Sequence, residues 1–268
     1  MVEIFDNIRQ LYNFSRPTPE LADYIEFFSE SSDEETTRYS ANQHFTVKMF
    51  QSWTPTIWIN LGTSYQIITP NYSQTIAADD DVLVVRNSMV TRFNQPTDHI
   101  FTVKFFPGAL ERILGISQLP FIDQVIPLAS VLPSQLIFKI KTAGDFEERI
   151  TLLQEFFLIN VVKQRKNDHY IKFVKDSIDL HHTAGIDYNT GKMAEKMFVT
   201  SKTINRYFNN IIGVSPKKYF CVLRARTALG AYVNNKKTFL ACNYGYYDMS
   251  HFYKEMLKFT GDSMIATH

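Results

Sequence analysis

The hydrophobic period of this chain turns from strand-like to helical near Gly108, and that change constrains the fold more than any other feature of the sequence. Before it, "HFTVKMF" (44–50), "TIWINLG", "SYQIIT", "VLVVRNS" and "HIFTVKFFPG" are short β-branched and aromatic runs separated by Pro, Gly, Asn and Asp. Runs of this length and spacing predict a small antiparallel β-barrel or sandwich. After Gly108, apolar residues recur every three or four positions, which predicts helices. The class expected is therefore α+β, a β-rich N-terminal part with flanking helices and an all-α C-terminal part.

The flanking helices are read from the same periodicity. "TPELADYIEFFS" (18–29) predicts a short helix with Leu21, Ile25 and Phe28 on one face, and "ESSDEE" after it predicts a solvated loop. Residues 145–164 predict a long amphipathic helix with Phe146, Ile150, Leu153, Phe157 and Val161 in one stripe. Such a stripe packs on its own domain or serves as a dimerisation helix. The charged "KQRKND" (163–168) reads as a linker. It divides the chain into a sensor or dimerisation domain, 1–165, and a second domain, 166–268.

The two halves differ in charge. Residues 170–268 carry 14 Lys and Arg against 7 Asp and Glu, whereas residues 1–169 carry 14 against 20. The formal net charge of +1 thus hides a basic C-terminal part, which suggests a polyanionic partner. No segment approaches the ~20 apolar residues that span a bilayer. "MVEIFDNIRQ" lacks a basic stretch followed by an apolar run, so no signal peptide is expected. Cys221 and Cys242 have no metal-ligand spacing and read as small core residues of a protein in a reducing cytoplasm.

The C-terminal hundred residues hold two segments built alike. The first runs from "MAEKMF" to "RYFNNIIG", the second from "LACNYG" to "HFYKEMLKFTG". Each is a short helix carrying an alanine, a tight turn, a second helix with a buried Phe, then a glycine. They read as two helix-turn-helix units joined by one long helix, with second helices at about 201–212 and 249–260. That long helix starts with Ser215 as N-cap and Pro216 at the first helical position. Asp248 is the expected cap of the last helix, and Gly213 and Gly261 are the expected stops. A helix-turn-helix places its second helix in the major groove while its first crosses the backbone. Helical facing turns Ile204, Phe208 and Ile211 inward and leaves Lys202, Thr203 and Arg206 outward. In the last helix Met249, Ser250, Tyr253 and Lys254 face outward. Arg206 can grip a guanine edge in bidentate fashion. Lys217, Lys218, His251 and Lys258 read as backbone contacts, which position without specifying.

"GVSPKKYF…LRARTAL" followed by "GYYDMSHFYKEMLKFTG" resembles the AraC-type (AraC/XylS) transcription regulators over roughly residues 170–265. The glycines, Ser215-Pro216, Tyr219, Arg224, Ala228 and Phe252 carry the likeness. The N-terminal part is more loosely similar to the cupin-like β-barrel sensor modules of that family, through "FFPGALERILGI" and "VIPLASVL". The resemblance implies base reading at Lys202, Arg206, Ser250 and Lys254. It also implies promoter DNA and RNA polymerase as partners, and a small-molecule effector or a homodimer for the first domain. The protein would then be cytoplasmic, associated with the nucleoid when bound to DNA. Two departures stand out: "KKTFLACNYG" lacks an acidic residue common there, and Met264 stands where the family usually has proline.

Catalytic and metal chemistry find little footing. His251 has no ligand partners at metal spacing, and His181-His182 lack a third partner. His44 and His99, the histidines of the strand region, lie far apart in sequence. No Ser/His/Asp elbow or phosphate-cradling glycine loop is present. No catalytic residue, cofactor or metal is assigned. Trp53 and Trp58 read as core residues or as walls of an apolar ligand pocket. A cupin-type metal enzyme with a helical appendage and a protein-interaction adaptor without DNA binding are the rival readings.

Overall fold

The computed structural model describes residues 11–161, 168–184 and 189–261. Among these, ten strands build the N-terminal domain: β1 (Tyr12–Ser15), β2 (Ile25–Ser31), β3 (Phe45–Met49), β4 (Pro55–Asn60), β5 (Tyr65–Ile68), β6 (Ser73–Ile76), β7 (Val82–Val85), β8 (Val90–Asn94), β9 (Ile100–Phe105) and β10 (Val125–Pro127). They form two antiparallel sheets, of order β1-β2-β9-β4-β7-β10 and β3-β8-β5-β6. The central strands of the larger sheet are buried on both faces, and their period of two decides which side each residue serves. Ile57, Ile59, Leu83, Phe101, Val103 and Phe105 point to the helices α2 (Ala109–Leu114), α3 (Ser134–Thr142) and α4 (Phe146–Val161). Trp58, Val82, Val84 and Ile100 point the other way and pack with Val47, Met49, Tyr65 and Ile67 of the smaller sheet.

Between the sheets lies a buried polar group. Arg92 reaches Asp98 at 3.3 Å and bonds the Tyr12 hydroxyl, while Ser31 donates to the same Asp98 oxygen at 3.3 Å. Arg92 is also flanked by the rings of Trp58 and Tyr65, 5.5 and 5.3 Å away. Burial raises the Asp98 pKa and the Arg92 charge opposes it.

Two local expectations fail in the N-terminal domain. Residues 25–31 are a strand, not a helix, because Ile25–Glu30 pairs with β9 and every side chain from Phe27 to Ser31 is buried. Long-range pairing outweighs the local three-four spacing. The acidic run is not a loop: Ser32 caps helix α1 (Asp33–Ser40), accepting from the Glu35 amide at 3.2 Å, and Asp33, Glu34 and Glu35 fill its first turn. Negative charge at a helix N-terminus is favourable. The stripe of α4 is spent inside its own domain, with Ile150, Leu153, Phe157 and Val161 in the core.

The second domain consists of α5 (Asp168–Ala184), α6 (Thr190–Lys196), α7 (Ser201–Ile211), α8 (Pro216–Asn234), a single 3-10 turn at Ala241–Tyr244, and α9 (Met249–Thr260). The linker up to residue 167, the boundary at 165 and Met264 lie outside the described residues. No helix among those described is long and apolar enough to cross a membrane.

The domains share a core. Phe50 and Trp53 of the β-domain belong to the hydrophobic cluster of the helices, with Trp53 6.1 Å from Tyr219. Gln118, 1% exposed, accepts from the Gly108 amide at 2.8 Å and donates to the carbonyls of Trp53 at 3.0 Å and Ile212 at 3.3 Å. Gly213 has φ +88°, and a Cβ there would sit 2.4 Å from Ile122 Cδ1. The left-handed backbone favours glycine there, and a side chain would have to displace the Ile122 end across the seam.

Candidate nucleic-acid interface

The second helix of each unit begins on a capped end. Thr200 accepts from the Thr203 amide at 3.1 Å, and Asp248 accepts from the His251 amide at 2.7 Å. These caps satisfy one orphan amide each. From the caps the two helices run in step. Ile204 and Phe252 are buried four residues on, Phe208 and Met256 eight residues on, and Gly213 and Gly261 lie thirteen residues on. The joining helix α8 starts as the sequence predicts, with Ser215 accepting from the Lys218 amide and Pro216 at its first position.

On the outer face of α7, Lys202 and Arg206 are exposed, with the Arg206 guanidinium 5.2 Å from the Tyr207 ring. Thr203 is half-buried, its hydroxyl 3.0 Å from that of Thr200. On α9, Ser250 and Lys254 are exposed. Met249 and Tyr253 are half-buried instead and pack against the core, and the Tyr253 hydroxyl lies 3.4 Å from that of Tyr232. The structure therefore leaves Lys202, Arg206, Ser250 and Lys254 as the freely presented base-reading candidates.

Among the backbone candidates, Lys217, Lys218, His251 and Lys258 are all exposed. Lys218 lies over the Trp53 ring at 5.4 Å, at the domain seam. His251 Nδ1 accepts from the Tyr247 amide at 3.3 Å, so the ring finishes the turn before α9.

The units differ in their first helices. In the first, α6 is capped by Asn189, which accepts from the amides of Gly191 and Lys192. In the second, the expected helix is a 3-10 turn, Ala241–Tyr244, with Leu240 before it and no side-chain cap. The cysteines are not core residues: Cys221 is half-buried, 3.2 Å from a Glu255 oxygen, and Cys242 is exposed.

The tryptophans wall no ligand-sized space. Trp53 borders a void of about 10 Å³ and Trp58 one of about 30 Å³. Larger spaces lie elsewhere. A cleft of about 560 Å³ opens between the domains, lined by Tyr24, Phe106, Arg112 and Ile171 among others. Across it, Lys175 reaches Asp23 at 3.1 Å. A second space, of about 660 Å³, lies within the helical domain between α5 and α8. Among the described residues no three His, Cys, Asp or Glu side chains cluster to hold a metal ion.

No protein-family model matches the sequence, and no curated protein matches it. Solved structures do match. ToxT from Vibrio cholerae superposes with a TM-score of 0.51 at 11% identity, over 95% of this chain and 96% of that one. The two-domain fold is that of ToxT. ToxT bound to (E)-4-(8-methylnaphthalen-1-yl)but-3-enoic acid gives 0.48 at 10% identity, over 95% and 97%. The AraC-like transcriptional activator CuxR gives 0.35 at 11% identity, over 85% and 89%. Values of that size add nothing to the fold assignment.

Proposed function

We propose that this chain is a sequence-specific, double-stranded DNA-binding transcription regulator of the AraC type, whose α7 and α9 enter successive major grooves. The observation that carries the reading is the repeat itself. Two recognition helices have matching caps, matching buried positions and exposed cations on their outer faces, all within the basic half of the chain. The fold shared with ToxT supports it. In this reading Arg206 and Lys202 read bases in one groove, Ser250 and Lys254 in the next, and Lys217 and Lys258 hold phosphates. The N-terminal domain senses an effector or mediates dimerisation. The interdomain cleft, not the tryptophans, offers the space for a small molecule. The protein then works in the cytoplasm and engages RNA polymerase at its promoters.

The test is selection of duplexes from a randomised pool by the full chain, at two salt concentrations. Two enriched blocks about one helical turn apart are expected. Arg206→Ala should relax preference at one base pair, by about 1–3 kcal/mol of discrimination. Lys258→Ala should weaken all sequences alike and flatten the salt slope by about one unit. Salt-independent or absent binding would favour the adaptor reading instead.

A further inference from the structure

The most exposed large apolar side chains described in the protein are Phe198, at 95%, and Tyr247, at 91%. They stand in the turns of the two helix-turn-helix units, one in each. Phe198 lies two residues before the cap Thr200, and Tyr247 lies immediately before the cap Asp248. One fully exposed apolar group of this size thus stands in the turn of each unit, just before the cap of the helix that follows.

The backbone adds an independent reason. Phe198 has φ +54°, in the left-handed region, where a bulky side chain is an outlier. The same place in the second unit, four residues after the equivalent alanine, is Gly245 with φ +73°. Glycine meets that turn without cost. The first unit instead holds a phenylalanine whose ring packs on nothing and whose backbone is strained. Strain kept at one position, with no internal packing to offset it, points to use of the side chain outside the molecule.

The charge of the helices that flank the two turns points to the partner. Lys196 ends α6, Lys202 and Arg206 lie on α7, and Lys254 and Lys258 lie on α9, all exposed, against the exposed carboxylates Glu195 and Asp248. A predominantly cationic surface that also carries apolar side chains complements a polyanion whose grooves present apolar sugar and thymine-methyl surface. We propose that Phe198 and Tyr247 are apolar DNA contacts, one per unit, packing on deoxyribose and thymine-methyl surface at the groove edge beside each recognition-helix N-terminus. The proposal rests on the DNA-binding reading above.

The experiment uses the full chain, the duplex enriched by selection, and the variants Phe198→Gly and Tyr247→Ser. Affinity is measured by fluorescence anisotropy across a salt series, and Tm by thermal unfolding. Phe198→Gly should leave Tm unchanged or raise it, because it relieves the left-handed position. It should still weaken binding about tenfold, the scale of one lost apolar contact of this size. Tyr247→Ser should weaken binding to a similar extent with Tm unchanged. In both, the slope of log affinity against log salt should stay that of the wild type, since no phosphate contact is lost. Wild-type affinity in both variants overturns the proposal. So does a salt slope that falls by about one unit, which would mean the rings act by placing a cation. Normal DNA affinity with lost transcriptional activation would assign the rings to a protein partner and also overturn it. A wild-type chain that enriches no duplex removes the DNA-binding reading itself, and this proposal with it.

Discussion

Seven residues past its N-cap, α7 carries Tyr207 and α9 carries Glu255, and the two units are fastened to the domain through these different residues. Tyr207 packs edge-on against Tyr170 and Phe173 of α5, with ring centroids 4.6 and 5.1 Å away. Glu255 takes the guanidinium of Arg224, on α8, at 2.8 and 3.0 Å. The units also meet the β-domain differently. The first is tied by a hydrogen bond from Gln118 to the Ile212 carbonyl, the second by ring contact between Phe50 and Phe259 at 5.8 Å. A shared plan of caps and buried positions thus sits on unlike supports: the first seam adds an oriented hydrogen bond to its apolar contacts, whereas the second is the ring contact of Phe50 and Phe259. Polar fastenings fix one geometry, whereas apolar ones tolerate sliding. The first unit is therefore the one whose position relative to the β-domain is set most tightly.

The strongest way to break this comparison is Gln118→Ala. It leaves the Gly108 amide and the carbonyls of Trp53 and Ile212 without their buried partner, at an expected cost of about 2–3 kcal/mol. Because only the first unit is held this way, hydrogen exchange should rise around 208–213 and change little around 256–261. Equal loosening at both ends would show that the seam behaves as one piece. Arg224→Ala attacks the other unit. Glu255 is 13% exposed and would be left with an unbalanced charge, but Arg224 is 31% exposed and partly screened. A loss of about 1–2 kcal/mol in urea unfolding is expected, smaller than for a fully buried pair. Arg224→Ala with Glu255→Gln together should recover part of it, since the orphaned charge is gone.

A pH titration sharpens the comparison on the side of the first unit. His181 of α5 stacks on Phe220 with centroids 4.1 Å apart, and burial, then His182 and Arg224, lower its pKa from 6.5 to about 4. The folded ring stays neutral where the unfolded one takes a proton. Stability is therefore full above about pH 6.5 and falls as the pH drops from there to about 4. His181 is only partly buried, so the loss is discounted to about 1–2 kcal/mol. His181→Phe should flatten the unfolding free energy across that window. An unchanged slope in the variant would move the pH dependence to other groups.

Much of the helical domain is legible in sequence because its signals are local. Ser215, Pro216, Asp248, Gly213 and Gly261 act on amides and carbonyls a few residues away, so a reader of the chain meets cause and effect together. The outward set Lys202, Arg206, Ser250 and Lys254 follows from the same periodicity. What escapes reading depends on distant partners. Ile25–Ser31 becomes a strand because of residues 101–105, and Met249 and Tyr253 turn half inward because of α8 and its end. Trp53 is legible as a core residue, but which core it joins is not, because Tyr219 comes from more than 160 positions along the chain. Gln118 carried no signal at all: a lone glutamine in "GISQLP" is silent until three backbone groups from separate segments converge on it. The loop expected for the acidic run at 30–35 is a miss of another kind, since the signal that corrects it is local: Ser32 and Glu35 are spaced as a helix start.

The smallest effect compares the two turns directly. Gly245 and Phe198 hold the same left-handed place in their units, with φ +73° and +54°. Gly245→Ala puts a Cβ where none is favoured and should cost about 1 kcal/mol. Phe198→Gly makes the reverse change and should cost nothing or stabilise. Opposite signs at equivalent places, read from Tm in the same buffer, would establish that the second turn is built for backbone comfort and the first for its side chain. If both substitutions destabilised alike, the Phe198 ring would have a role inside the fold despite its exposure, and the two turns would be equivalent after all.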